Sequence, residues 1–199
     1  MKTFNITLRS AIAAVAVVFS TFTTQLYATT SASTLIDNFE TPSTNNLGFE
    51  RQFLDDTMAG GATQFDASVA TGILNLSGEI VPPRGQPGWA STVLPFAQLG
   101  GHIDASEHTG IKLRIKINAG TFSLSANSLD ITNFDYHAAP ITVANDGKFH
   151  DVSIPFESMK RAWSPQVDLN TANLGSLSIV AFGLQPTAFA AEIAEVSFY

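Results

Sequence analysis

The sequence predicts an all-β protein, an antiparallel β-sandwich of jelly-roll type. Three observations point there. No segment after residue 29 sustains apolar residues at helical spacing for three turns. Apolar and polar residues instead alternate with period two, in about ten short runs. Clusters of Gly, Pro, Asn and Asp separate these runs, as expected of many short strands joined by tight turns.

The clearest run is Ile111–Ile117, "IKLRIKI", where Ile111, Leu113, Ile115 and Ile117 point one way and Lys112, Arg114 and Lys116 the other. "NAG" (118–120) then leads into "TFSLSAN", in which Phe122 and Leu124 face inward between serines. The pair reads as a hairpin with one wet face. Further strands are expected at Leu35–Glu40, Phe49–Leu54, Gln64–Ala70, Ile73–Ile80, Trp89–Leu94, Phe134–Val143, Phe149–Ile154, Ser176–Leu184 and Phe189–Tyr199. Pro155 ends one of them, since proline has no amide to continue a ladder. "LSIVAFGL" is apolar on both faces and reads as a central strand covered on both sides. In the last run Phe189, Ala191 and Ile193 share one parity and Val196 and Phe198 the other, so a β-bulge is expected near Ala194–Glu195. "FAQLGG" (96–101) and "ESMKRAW" (157–163) each have room for one helical turn, and "ETPSTNN" (40–46) reads as a surface loop.

The first residues follow a different pattern. Lys2 and Arg9 precede the apolar run Ala11–Phe22, and small residues suited to cleavage follow at Ala28 ("LYA") and Ser33 ("SAS"). That is the layout of a secretory signal peptide, with an apolar core too short to span a bilayer stably. The expected organisation is a signal segment at 1–28, cleaved somewhere in 28–33, and one β-sandwich domain at 34–199. The expected location is periplasmic or extracellular. The portion from Thr29 onward loses Lys2 and Arg9 but none of the 17 acidic residues, so its formal charge falls from −7 to −9. Such a surface repels phosphate backbones and lacks the basic clusters that anionic membranes select. Nucleic acid and membrane insertion of the mature chain are therefore not expected. Without cysteine there is neither a disulfide framework nor thiol chemistry.

Templates for catalysis fail early. There is no G-x-S-x-G elbow, no phosphate-cradling G-x-x-x-x-G-K and no H-E-x-x-H pair, and His102, His108, His137 and His150 are scattered. No catalytic residue is assigned, and a non-enzyme is expected. The densest polar chemistry is "DDTMAGGATQF" (55–65). Asp55 and Asp56 are adjacent and would face opposite sides of a strand, so they cannot flank one substrate bond. They read first as turn-forming aspartates beside Gly60 and Gly61, with Met58 buried beneath the turn, and second as ligand-binding candidates. Asp37, Glu40 and Glu192, near the two ends of the domain, read as solvated edge charges. The alternative is that the first and last strands bring them together around a structural Ca²⁺. Sugar rings stack on exposed aromatic side chains, which makes Trp163 in "KRAWSP" and the pair Tyr136–His137 in "FDYHA" the candidates for a carbohydrate site. Trp89 reads as a core residue at a strand start.

Phe53 through Gly61, followed by "LNLSGEI", "GWAS", "DASEHTGIKLRIKI", "FHDVSIPFESM" and "FAAEIAEVSF", resembles the complex I intermediate-associated protein 30 family over roughly residues 35–199. The core motif, D-x-x-M-G-G-x-S, falls on Asp55–Thr63. Ala59 stands before the glycine pair, Ala62–Thr63 stand where the family has a polar residue and Ser, and Phe53 stands where Trp is common. The resemblance implies a galactose-binding-domain-like jelly roll similar to carbohydrate-binding modules, with no accepted catalytic residues. Its mitochondrial members look like assembly factors for respiratory complex I. The leading expectation is thus an exported, non-catalytic, glycan-binding module. The alternative is a periplasmic assembly or scaffolding factor with a protein partner, and an enzyme using Asp55 or Asp56 with a metal ranks last.

Overall fold

A computed structural model of the chain describes residues 34–199. The expected signal segment and its cleavage sites lie outside the described residues. Among the described residues, twelve strands form two antiparallel sheets: β1 Leu35–Asp37, β2 Gln52–Asp55, β3 Gln64–Ala70, β4 Ile73–Ile80, β5 Gly88–Pro95, β6 Gly110–Ala119, β7 Thr121–Ser128, β8 His137–Ile141, β9 His150–Pro155, β10 Lys160–Arg161, β11 Leu174–Gly183 and β12 Thr187–Phe198. The first sheet runs β3-β4-β12-β6-β9, with β1 also pairing β12, and the second runs β10-β8-β7-β11-β5-β2. The two sheets pack face to face, as an antiparallel β-sandwich.

Period-two alternation explains which side chains meet between them. Ile111, Leu113, Ile115 and Ile117 of β6 and Phe189, Ala191 and Ile193 of β12 are buried from one side. Phe122, Leu124 and Ala126 of β7 and Leu177, Ile179 and Ala181 of β11 are buried from the other. Each large side chain so buried contributes about 1.5–3 kcal/mol. The register of β12 on β6 shifts between Ile193 and Glu195, so the expected bulge is present and turns Val196 and Phe198 back into the core. The β3–β4 turn is a two-residue hairpin in which Thr71 and Gly72 both have positive φ (50° and 73°), the backbone that right-twisted strands favour.

Three expectations about elements are corrected. β6 and β7 do not form a hairpin, because they belong to opposite sheets and "NAG" carries the chain across the sandwich. The apolar faces of both strands point into the same core from opposite sides, a pattern that alternation alone cannot distinguish from a hairpin. At the crossing Gly120 has φ +86° and sits where a Cβ would be 2.7 Å from Phe189 Cβ, so only glycine fits. β11 is central in its sheet, yet its second apolar face is open rather than covered, with Val180 half-buried and Phe182 exposed. "FAQLGG" forms bends and a turn with no helix, whereas Phe156–Ser158 does form one 3-10 turn. Among the described residues no helix is long and apolar enough to cross a membrane.

One buried ion pair ties the start of the domain together. Asp37, at the end of β1, receives Arg51 Nε at 2.6 Å and Nη2 at 2.7 Å, and both side chains are excluded from solvent. Arg51 Nη1 donates to the Thr41 carbonyl, and the guanidinium lies 5.0 Å from the centre of the Phe39 ring. Phe39 is fully buried with φ 57°, a conformation unfavourable for a bulky residue. Its amide donates to Asp37, so the same carboxylate holds both the arginine and the strained turn.

Candidate functional site

The outer face of the second sheet carries a groove of about 750 Å³. Its floor comes from alternate residues of three neighbouring strands. Ser123 of β7, Val180 of β11 and Ser91 of β5 stand in one row, and Ser125, Ser178 and Val93 in the next. These side chains are short, so the floor lies low between walls of large ones. Trp89 and Phe182, paired across β5 and β11, rise at one end. Tyr136 and Trp163 rise at the other, with ring centres 5.3 Å apart and planes at 86°. Phe134, 94% exposed, and Trp163, 61% exposed, are apolar surface that no part of the domain covers.

The Tyr136–Trp163 wall is held from behind by Asp135. Its carboxylate accepts from the amides of Tyr136 (2.8 Å), Ala162 (3.0 Å) and Ser164 (3.0 Å), and from Arg161 Nε (2.8 Å). One buried side chain thereby fixes both Tyr136, the residue before β8, and the loop that presents Trp163. Burial is the largest single influence on the Asp135 carboxyl and acts to raise its pKa. The hydrogen bonds from Ser164, the Tyr136 amide and Arg161 together outweigh burial and hold the group well below the usual carboxylate range. A depressed folded value means that the stabilisation is present above the unfolded pKa, about 3.9, and is lost as pH falls through the folded one. The near-UV circular dichroism of the Tyr136–Trp163 pair is therefore expected to stay constant from about pH 5 to 8 and to decay only well below pH ~4. A transition at or above about pH 5 would contradict this clamp. Burial, with Asp135 adding to it, pushes the Tyr136 phenol up, so it remains a hydroxyl at neutral pH.

Of the residues predicted from sequence, Tyr136 and Trp163 come together in the groove. The others go elsewhere. His137 has the core parity of β8, is buried, and its Nε2 lies 2.8 Å from the Val167 carbonyl, so it does not face the groove. Asp56 is fully buried. Its carboxylate accepts from Thr63 N (3.1 Å), Thr63 Oγ1 (2.8 Å) and Trp89 N (3.1 Å), which makes it a structural tie rather than a ligand group. Asp55 caps the 3-10 turn Asp56–Ala59 by accepting from the amide and hydroxyl of Thr57. Gly60 ends that turn in the left-handed region (φ +85°), while Gly61 is required by space: a Cβ there would lie 2.2 Å from the Asp56 carboxylate. Met58 is not buried under the turn but 75% exposed, because the turn projects from the sandwich. The Ca²⁺ alternative is not met either. Asp37 is committed to Arg51, Glu192 pairs with Lys116, and Glu40 is exposed. Among the described residues no group of three or more His, Asp or Glu is placed to hold a metal ion.

Sequence reasoning missed Asp135, Trp89 and the serines of the floor. Trp89 is half-buried on the groove face, opposite to Ala90, which points into the core. A signal for the floor exists in the shared parity of Ser91, Ser123, Ser125 and Ser178, but only strand order shows that their strands are neighbours.

The fold is that of an antiparallel β-sandwich of the kind seen in carbohydrate-binding modules. The chain belongs to the complex I intermediate-associated protein 30 family, which matches it over residues 38–193. Among solved structures it is similar to the family 11 carbohydrate-binding module from Clostridium thermocellum in complex with a β-1,3-1,4-mixed-linked tetrasaccharide. That match has a TM-score of 0.58 at 17% identity and covers 83% of this chain and 94% of that one. A family 30 carbohydrate-binding module matches with a TM-score of 0.53 at 12% identity, over 84% of this chain and 99% of that one. The agarase AgWH50C matches with a TM-score of 0.55 at 8% identity over 83% of this chain but only 24% of the enzyme. At these identities the likeness is one of fold. Comparison with curated protein sequences gives no match.

Proposed function

We propose that this chain is an exported, non-catalytic binding module that takes a glycan in the groove of its second sheet. One observation carries the reading: two aromatic walls, Trp89–Phe182 and Tyr136–Trp163, stand over a floor of serine hydroxyls. Aromatic faces match the apolar faces of sugar rings, and fixed hydroxyl and amide groups match their hydroxyls. The likeness in fold to carbohydrate-binding modules supports it. Export rests on the Lys2/Arg9 and Ala11–Phe22 pattern, and N-terminal sequencing of protein recovered outside the cytoplasm should begin after Ala28 or Ser33.

Affinity electrophoresis against a panel of polysaccharides tests the binding reading. Retardation on at least one glycan is expected, and Trp163→Ala and Tyr136→Ala should each weaken it at least about tenfold, or ~1.4 kcal/mol. No retardation on any glycan would sink the proposal. Family membership favours a second reading, in which the exposed Phe134 and Trp163 anchor a protein partner and the domain is an assembly or scaffolding factor. A stoichiometric protein captured by the wild-type chain and lost with Trp163→Ala, without any glycan affinity, would decide for that one.

A further inference from the structure

Nineteen of the described residues line the groove, and none of these is Asp, Glu, Lys, Arg or His. In a chain that is 14% charged, two or three would be expected by composition alone. The charged residues that neighbour the lining in sequence are engaged elsewhere. Arg161 is held by Asp135, Lys160 Nζ donates to the Glu157 carbonyl, and Asp56 is buried behind Trp89. Arg84 lines an adjoining depression that shares Gln86 and Pro87 with the groove, and is not itself one of the groove residues. A carboxylate or sulfate placed on this floor would lose its water without gaining a cation, an unfavourable exchange. The domain's own acidic surface would add repulsion.

The two aromatic walls are also far apart. The pairing of Ala126 with His137 places Tyr136 level with Asn127, whereas Trp89 and Phe182 are level with Thr121. Along β7 that is six residues, or about 20 Å at ~3.3 Å per residue. Across the sheet the walls are further offset by two to three strand spacings of about 4.8 Å each. A single sugar ring cannot touch both. Polar groups fill the interval. Asn127 Nδ2 donates to Ser178 Oγ at 2.9 Å, which occupies a lone pair of that hydroxyl and leaves its proton free to donate. Among the described residues the hydroxyl oxygen of Ser125, 2% exposed on the floor, has no partner.

We infer that the groove takes several consecutive residues of a neutral polysaccharide, laid diagonally across the strands from the Tyr136–Trp163 wall to the Trp89–Phe182 wall. An acidic chain or a single terminal sugar does not fit it. The inference rests on the glycan reading above and narrows it.

Isothermal titration calorimetry on the full chain tests it. The probes are neutral oligosaccharide ladders, disaccharide to hexasaccharide, derived from glucan, mannan and xylan, with polygalacturonate, alginate and a sulfated galactan as acidic counterparts. In at least one neutral ladder the affinity should rise about tenfold or more with length. It should change less than about twofold between ~10 mM and ~1 M NaCl, a range that shortens the screening length from ~30 Å to ~3 Å. Trp89→Ala and Trp163→Ala should each remove most of the gain with length, while Trp89→Phe and Trp163→Phe keep a ring in place and retain part of it. Binding of an acidic polymer that weakens with salt, or a disaccharide bound as tightly as a hexasaccharide, would overturn the inference and leave the glycan reading standing. Binding of none of these probes would remove both.

Discussion

Asp56→Ala is expected to destabilise the domain by about 4.5 kcal/mol or more, because hydrogen bonds to a charged group contribute ~1.5–3 kcal/mol each and three donors converge on this one. In a domain of this size that corresponds to a fall of about 10 °C or more in Tm. The donors, Thr63 N, Thr63 Oγ1 and Trp89 N, would be left buried around a cavity. Thr63 Oγ1 also accepts from Val81 N, so the loss reaches the end of β4. Asp56→Asn should cost less, about 2 kcal/mol, since one amide oxygen can still accept from two of the donors while its NH₂ faces the third. Differential scanning calorimetry measures both, and an alanine variant melting within about 2 °C of wild type would show that Asp56 holds nothing. Because Trp89 begins the groove wall at the residue whose amide Asp56 receives, Asp56→Asn should also weaken glycan binding.

Arg51→Met is the second large expectation. It leaves the Asp37 carboxylate buried without its partner, which costs about 3–5 kcal/mol. The strained Phe39 turn loses its stacked guanidinium in the same step. Asp37→Leu combined with Arg51→Met removes both charges, and the double variant should be more stable than Arg51→Met alone, because a matched apolar pair no longer carries an uncompensated ion. Chemical denaturation of Arg51→Met, Asp37→Leu and the double variant gives the comparison. A double variant that is less stable than either single one would show instead that the pair is favourable by more than its desolvation cost.

These two ties account for much that was not legible in advance. Asp55 and Asp56 are adjacent and identical in type, yet one caps an exposed turn and the other is buried. The difference lies in Gly61 and Gly88, whose missing side chains leave the space that the Asp56 carboxylate fills. The Asp–Gly–Thr elements of the motif were visible as a turn with family character, and Thr63 retains the hydroxyl that a serine would supply there. Their common purpose was not visible, because the third donor, Trp89 N, is 33 residues away. Asp37 was noticed as an acid near the end of the domain. Its counter-ion, Arg51, lies 14 residues on, beyond a loop that no local pattern folds back.

Strand positions were largely legible; Gln64–Ala70 and Ile73–Ile80 coincide with β3 and β4, and the other predicted runs overlap their strands with ends displaced by one to a few residues. Alternation is a local property with a period of two, so it appears in any stretch with one buried face. By the same token, the sequence by itself determined an all-β sandwich, the inward sets of β6, β7 and β12, the bulge in β12 and a pair of candidate aromatics in Tyr136 and Trp163. Only the tertiary structure decided that β6 and β7 lie in opposite sheets, that the outer face of β11 is left open, and that Ser91, Ser123, Ser125 and Ser178 share one floor. The physical reason is that parity states which side of its own strand a residue occupies, whereas a groove is made by which strands are neighbours, and that choice is settled by packing between residues distant in the chain.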